Sequence, residues 1–105
     1  MDGREKIFAE EVYSIVRQIP YGKVISYGTI ASLAGYPGLS RMAGRAMHDA
    51  PADSGLPCHR VVNSAGRTVP YWPEQRTLLE TEGVTFCRSG NVNMAKHLWK
   101  PEDEE

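Results

Sequence analysis

Apolar residues recur along the first part of the chain at the spacing of one helical face. Phe8, Val12, Ile15, Val16 and Ile19 stand at i, i+4, i+7, i+8 and i+11, which predicts an amphipathic helix over residues 7–19. Pro20 stops it and Gly22 marks the following turn. Residues 23–25 are a short β-prone run. Ser26 then offers an N-cap oxygen to a short helix through Thr29, Ile30, Leu33 and Ala34, with Gly35 where a C-terminal cap belongs and "YPG" as a tight turn. In the next segment, "SRMAGRAMH", Met42, Ala43, Ala46 and Met47 supply an apolar side. Arg41 and Arg45, at i and i+4, share a face, and Ser40 is the expected N-cap. Two short helices joined by a glycine-containing turn, with arginines on the second, match the helix-turn-helix pattern. Ordinary helical hairpins produce the same pattern.

Beyond the polar loop "DAPADSG", Val61 and Val62 predict a short buried extended segment, and "NSAGR" turns away from it. Residues 69–73 form a loop carrying Tyr71 and Trp72, whose bland reading is that they cap a core. Another helix is expected over residues 74–82, with Leu78 and Leu79 inward and Gly83 past its end. Residues 84–86, a turn at "RSGN" and Val92 suggest a small hairpin. A last helical turn in "MAKHLW" would be docked by Leu98 and Trp99.

Composition adds bounds. The chain has 105 residues, 41% hydrophobic and 24% charged, which suits one folded domain over residues 1–100. The remaining residues, 101–105, read as a disordered acidic tail. Overall the charge is −1, but residues 12–72 hold six basic side chains (Arg17, Lys23, Arg41, Arg45, Arg60, Arg67) against two acidic ones, Asp49 and Asp53. A local basic face suits phosphate binding; a solvated surface is the plainer reading. The charged N-terminus does not read as a secretion signal, and no apolar run is long enough to span a membrane. A cytoplasmic chain with two reduced cysteines, monomeric and without a cofactor, is the expectation.

The densest chemistry lies in "PCHR". A thiol reacts as its thiolate, so the histidine beside Cys58 matters. In an extended segment Cys58 and His59 would face opposite ways, whereas at a turn both can reach one pocket, and Pro57 makes a bend plausible. Glu80 or Glu82, on the later helix, could orient the histidine. Zinc spacing is absent: Cys58 and His59 are adjacent, while Cys87, His48 and His97 are scattered. Inert burial of the thiol remains open on chemistry alone.

Four segments in order, "IPYGKVISYGTIASLAG", "SRMAGRAM", "PCHRVVNSAG" and "LLETEG", resemble the DNA-binding domain of O6-alkylguanine-DNA alkyltransferases and of the related alkyltransferase-like proteins. The resemblance covers residues 8–83, and "PCHRV" is its most specific part. It implies a mainly α fold with a small β component, a winged-helix-like (helix-turn-helix) DNA-binding domain. It further implies that Cys58 accepts the alkyl group, that His59 activates it through a water, and that Glu82 stands behind His59. By the same likeness Arg60 is structural, Tyr27 pushes on the target phosphate, and Arg41 fills the gap left by the flipped base. The recognition helix would lie in the minor groove, where the small residues Ala43 and Gly44, with Arg45, suit close approach. Pro57, Val61, Tyr71 and Trp72 are then candidate pocket residues beside Arg60.

Three features depart from the methyltransferase pattern. Ala50 stands where those enzymes carry asparagine, "TVPYWPEQ" replaces a glycine-rich loop, and "GNVNMAKHLWKP" looks like the ending of the alkyltransferase-like proteins. Those relatives lack the cysteine and mark O6-alkylguanine for nucleotide excision repair. Two readings follow: a single-turnover repair alkyltransferase acting on double-stranded DNA, or a non-catalytic lesion sensor with excision-repair partners. A redox or zinc protein built on Cys58 and Cys87 ranks well below both.

Overall fold

A computed structural model describes residues 3–101. The acidic end, residues 102–105, lies outside them. Helix α1 (Gly3–Arg17) buries Phe8, Val12 and Val16. It begins four residues before the expected start because polar helix formers extend it without adding to the apolar stripe. Ile7 is consequently 55% exposed. The helix also ends earlier than Ile19, which stays buried on a tightened turn in which its N–H meets the Val16 carbonyl at 3.1 Å.

Strand β1 (Ile25–Ser26) runs parallel to β2 (Val61–Val62), with Ile25 opposite Val61 and Ser26 opposite Val62. On the other side Val24 bridges Leu98, and the Trp99 N–H reaches the Val24 carbonyl at 2.8 Å. Successive side chains on a strand point to opposite faces, so this short extended layer divides two cores. Ile25 and Val61 join Phe8, Val12, Ile30, Ala43 and Trp99 on one side. Val24 and Val62 join Leu79, Val84 and Val92 on the other.

Helices α2 (Tyr27–Leu33) and α3 (Ser40–His48) form the helix-turn-helix. Ser26 caps α2 as expected, its Oγ accepting the Thr29 N–H at 3.2 Å. Ser40 does not cap α3. The Ala43 N–H closes on the Leu39 carbonyl at 3.1 Å, so Leu39 takes the cap position without a side-chain bond and Ser40 is already helical. Helix α4 (Glu74–Thr81) buries Leu79 and, one turn earlier, Gln75. Leu78, expected inward, is 42% exposed, because the inward face follows the i, i+4 pair 75 and 79. The expected hairpin is present as an antiparallel bridge between Phe86 and Val92. Helix α5 (Met94–His97) precedes the Leu98–Trp99 segment that docks beside β1. Gly66 has φ 87°, and a Cβ there would stand 2.7 Å from the Val92 carbonyl oxygen, so the turn after β2 requires glycine.

Candidate functional site

A 3-10 turn over Cys58–Arg60 leads directly into β2. Pro57 precedes it with φ −77° and ψ 64°, and the Arg60 N–H donates to the Pro57 carbonyl at 3.0 Å. The bend directs neighbouring side chains to different tasks. Cys58 lines a cavity of about 370 Å³ with Tyr27, Gly44, Met47, His48, Val69, Tyr71 and Trp72. His59 and Arg60 instead converge on Glu82, which sits just past the end of α4.

Glu82 is the hub on which the two residues after the thiol converge. Its side chain is 6% exposed. Oε2 lies 2.6 Å from His59 Nε2 and accepts from Arg60 Nη2 at 2.9 Å, while Oε1 accepts from Arg60 Nε at 3.0 Å and from the Gly22 N–H at 2.8 Å. Arg60 Nη1 also donates to the Ile19 carbonyl at 2.8 Å. Burial alone would raise the carboxyl's pKa, but the bonds from Arg60, His59 and Gly22 outweigh it and hold Glu82 at about 2. An ionised carboxylate only accepts, so His59 Nε2 carries the hydrogen of this contact. Arg60, committed to Glu82 and Ile19, is structural in this arrangement.

Burial pushes the Cys58 thiol above its ordinary value of 9.0, and a backbone hydrogen bond offsets only part of that. The resting thiol therefore keeps its proton at neutral pH and needs a base to react. Tyr27 is also raised, first by burial and then by Tyr71 and Cys58. Both thiols are free. Among the described residues, no group of three or more His, Cys, Asp or Glu side chains is placed to hold a metal.

Tyr27 stands where cavities meet. It lines the Cys58 pocket, a groove of about 470 Å³ with Gly28, Ser40, Arg41, Gly44, Asn63 and Ser64, and a third hollow with Arg67. Thus Cys58, Tyr27, Gly44, Arg41, Tyr71 and Trp72 are brought to one continuous surface. Other expected residues are not. Ala43 is fully buried between the helices and offers no surface to a docking partner. Arg45 lines a separate groove against α1 with Phe8, Tyr13 and Met42, whereas Arg41 lines the groove shared with Tyr27. Val61 packs into the core beside Ile25 instead of walling the pocket. Pro57 and Arg60 shape and brace the turn without lining the cavity. Sequence reasoning overlooked His48, which contacts Tyr71 edge-on at 6.5 Å, although its spacing from Arg41 and Gly44 places it on their face. It also overlooked Gln75, and placed Gly22 in its turn without its N–H contact to Glu82.

Together the fold and the site define a helix-turn-helix DNA-binding domain with a thiol pocket opening beside its second helix. Residues 7–84 match the family described as 6-O-methylguanine DNA methyltransferase, DNA binding domain, and the chain belongs to that family. It is 38% identical over 97 residues to a DNA base-flipping protein of Vibrio parahaemolyticus, covering 90% of this chain and 97% of that one. The crystal structure of a Schizosaccharomyces pombe alkyltransferase-like protein, in complex with damaged DNA containing O6-carboxymethylguanine, superposes with a TM-score of 0.82 at 36% identity. That match covers 96% of this chain and 100% of the other. A methylated-DNA–protein-cysteine methyltransferase of Mycobacterium tuberculosis is 38% identical over 85 residues, 78% of this chain but 52% of that protein.

Proposed function

We propose that this chain binds O6-alkylguanine in duplex DNA, receives the extruded nucleotide in the Cys58 pocket, and transfers the alkyl group to Cys58. The observation that carries the reading is the thiol on the wall of an aromatic cavity, with the next residue, His59, paired to Glu82. Extrusion costs a few kcal/mol of stacking and pairing; on this reading Arg41, which lines the groove adjoining the pocket at Tyr27 and Gly44, enters the vacated stack. Glu82 holds the tautomer in which His59 Nδ1 takes the thiol proton, directly or through a water. Sulfur then attacks the alkyl carbon as the carbon–O6 bond breaks. The bonding pair goes to the guanine, which regains one proton. The balance is thiol plus alkylguanine to thioether plus guanine, so each molecule acts once.

A second reading, the non-catalytic lesion sensor, rests on separate observations. The relatives that this chain covers nearly end to end are a base-flipping protein and an alkyltransferase-like protein. In addition, the thiol's pKa is raised and Ala50 stands before Pro51. On this reading the chain holds the lesion and hands it to nucleotide excision repair proteins.

One experiment separates the two. The chain is incubated with an oligonucleotide duplex containing O6-methylguanine, and its intact mass and the residual lesion are measured. Transfer predicts a single methyl added at Cys58 and an equal loss of lesion, both abolished by Cys58→Ala. Unchanged mass with tight lesion binding that survives Cys58→Ala would leave the sensor. No preference for lesion over normal duplex would sink both.

A further inference from the structure

Gln75 is fully buried in the first turn of α4, and its side-chain amide spans segments distant from one another along the chain. Nε2 donates to the His59 carbonyl at 3.1 Å and to the Val61 carbonyl at 2.9 Å, bracketing Arg60. Oε1 accepts the Val69 N–H at 2.7 Å. Both amide hydrogens and one oxygen lone pair are therefore engaged, inside a region where an unmade bond is costly. One side of this clasp is the turn that carries Cys58. The other is the loop that supplies Val69, Tyr71 and Trp72 to the pocket. Among the described residues, no other hydrogen bond ties residues 68–73 to the 58–61 turn. Tyr71 is 76% exposed, so packing does little to hold that residue.

We propose that Gln75 is the positioning residue that sets the distance between the Cys58 turn and the aromatic wall, and so the pocket's preference for O6-alkylguanine over guanine. The proposal rests on the reading of the pocket as the seat of an extruded base. A base enters only if wall and thiol stay apart by one ring's thickness, and the alkyl group is sensed only if they do not drift further. The clasp fixes both limits through backbone atoms. Its hydrogen bonds go to His59, Val61 and Val69, none of which lies on α2 or α3.

The test compares the chain with its Gln75→Met variant, both in a Cys58→Ala background so that binding is not obscured by reaction. Methionine keeps length and apolar packing and removes every bond of the clasp. Equilibrium affinity is measured for matched duplexes with O6-methylguanine or guanine, and amide hydrogen exchange is followed at Val69. Expected are faster Val69 exchange, retained protection in α1, a lesion preference reduced on the order of tenfold or more, and unmodified-duplex affinity changed by less than about twofold. A folded variant that keeps its lesion preference, or that loses affinity for both duplexes equally, overturns the proposal. If Gln75→Met does not fold, an amide-to-ester replacement at Val69, which keeps the valine side chain on the pocket wall and removes only its N–H, must show the same selective loss; retained preference there is equally fatal. A parent chain without lesion preference would sink the functional reading instead, and unchanged Val69 exchange in Gln75→Met would then overturn the clasp by itself.

Discussion

At the scale of single residues, Glu82 concentrates more consequence than Cys58. It fixes the imidazole of the residue next to the thiol, neutralises Arg60, and holds the Gly22 N–H. Replacing it with glutamine keeps the shape but leaves the Arg60 guanidinium buried without a counter-charge, which costs on the order of 3 kcal/mol or more. Urea unfolding of Glu82→Gln at neutral pH should show that loss, and methyl transfer to Cys58, where present, should slow in molecules that remain folded. Wild-type stability with unchanged transfer would refute the hub role. The Cys58–His59 pair is legible in the sequence as a dense motif, but the residues leave Glu80 and Glu82 both open, and only the family resemblance singles out Glu82. The contacts of Gln75 and Gly22 are not legible, since a side chain bridging to distant backbone leaves no pattern until the segments are folded together. Ala43 and Arg45 show the converse limit: small size and positive charge suit DNA, yet the first lies in the core and the second lines a groove against α1.

At the scale of elements, the helix-turn-helix depends on one capped start and one uncapped start. Ser26 accepts the Thr29 N–H, and α2 has only seven residues in which to recover that loss. Leu39 opens α3 without a side-chain bond, and Ser40 is exposed. Ser26→Ala should therefore cost about 1 kcal/mol, a drop in Tm of roughly 4–8 °C for a domain of this size. Ser40→Ala should stay within about 0.5 kcal/mol. Thermal melts of the two variants side by side check the assignment; equal effects would contradict it. Helix identity was legible here because the apolar stripes of α1 and α3 are strong. The start of α1 and the cap of α3 were not, because a polar run of good helix formers and a serine at the boundary each admit more than one first turn. The pairing of β1 with β2 was also beyond reach. Two-residue strands carry no alternation, and what joins them is the division of the interior into two cores.

At the scale of the whole molecule, two buried groups on opposite sides of the Gly22 turn make stability fall in stages as pH is lowered. His97 belongs to the C-terminal segment that closes against Val24. Its Nε2 accepts the Thr85 N–H at 3.0 Å, a role open only to the neutral ring. Burial is the main cause that holds its pKa below the ordinary 6.5; a Gly22 backbone bond opposes this in part, and Lys96 and Lys23 add to the lowering. Above 6.5 neither the folded nor the unfolded chain protonates this ring. Below it the unfolded chain takes a proton that the folded chain refuses, so stability declines from there toward the depressed folded value. Glu82 acts later. Its carboxylate contributes fully above the ordinary 4.5, and the contribution is lost as pH falls from 4.5 toward about 2, on the order of 3 kcal/mol in all. Urea-derived stability measured from pH 8 to pH 3 should thus bend first just below 6.5 and again below 4.5. His97→Gln, whose carbonyl can still accept from Thr85, should flatten the first bend and leave the second; Glu82→Gln should do the reverse. A single acid transition untouched by His97→Gln would mean that the C-terminal segment does not share in the cooperative unit that carries the Cys58 turn.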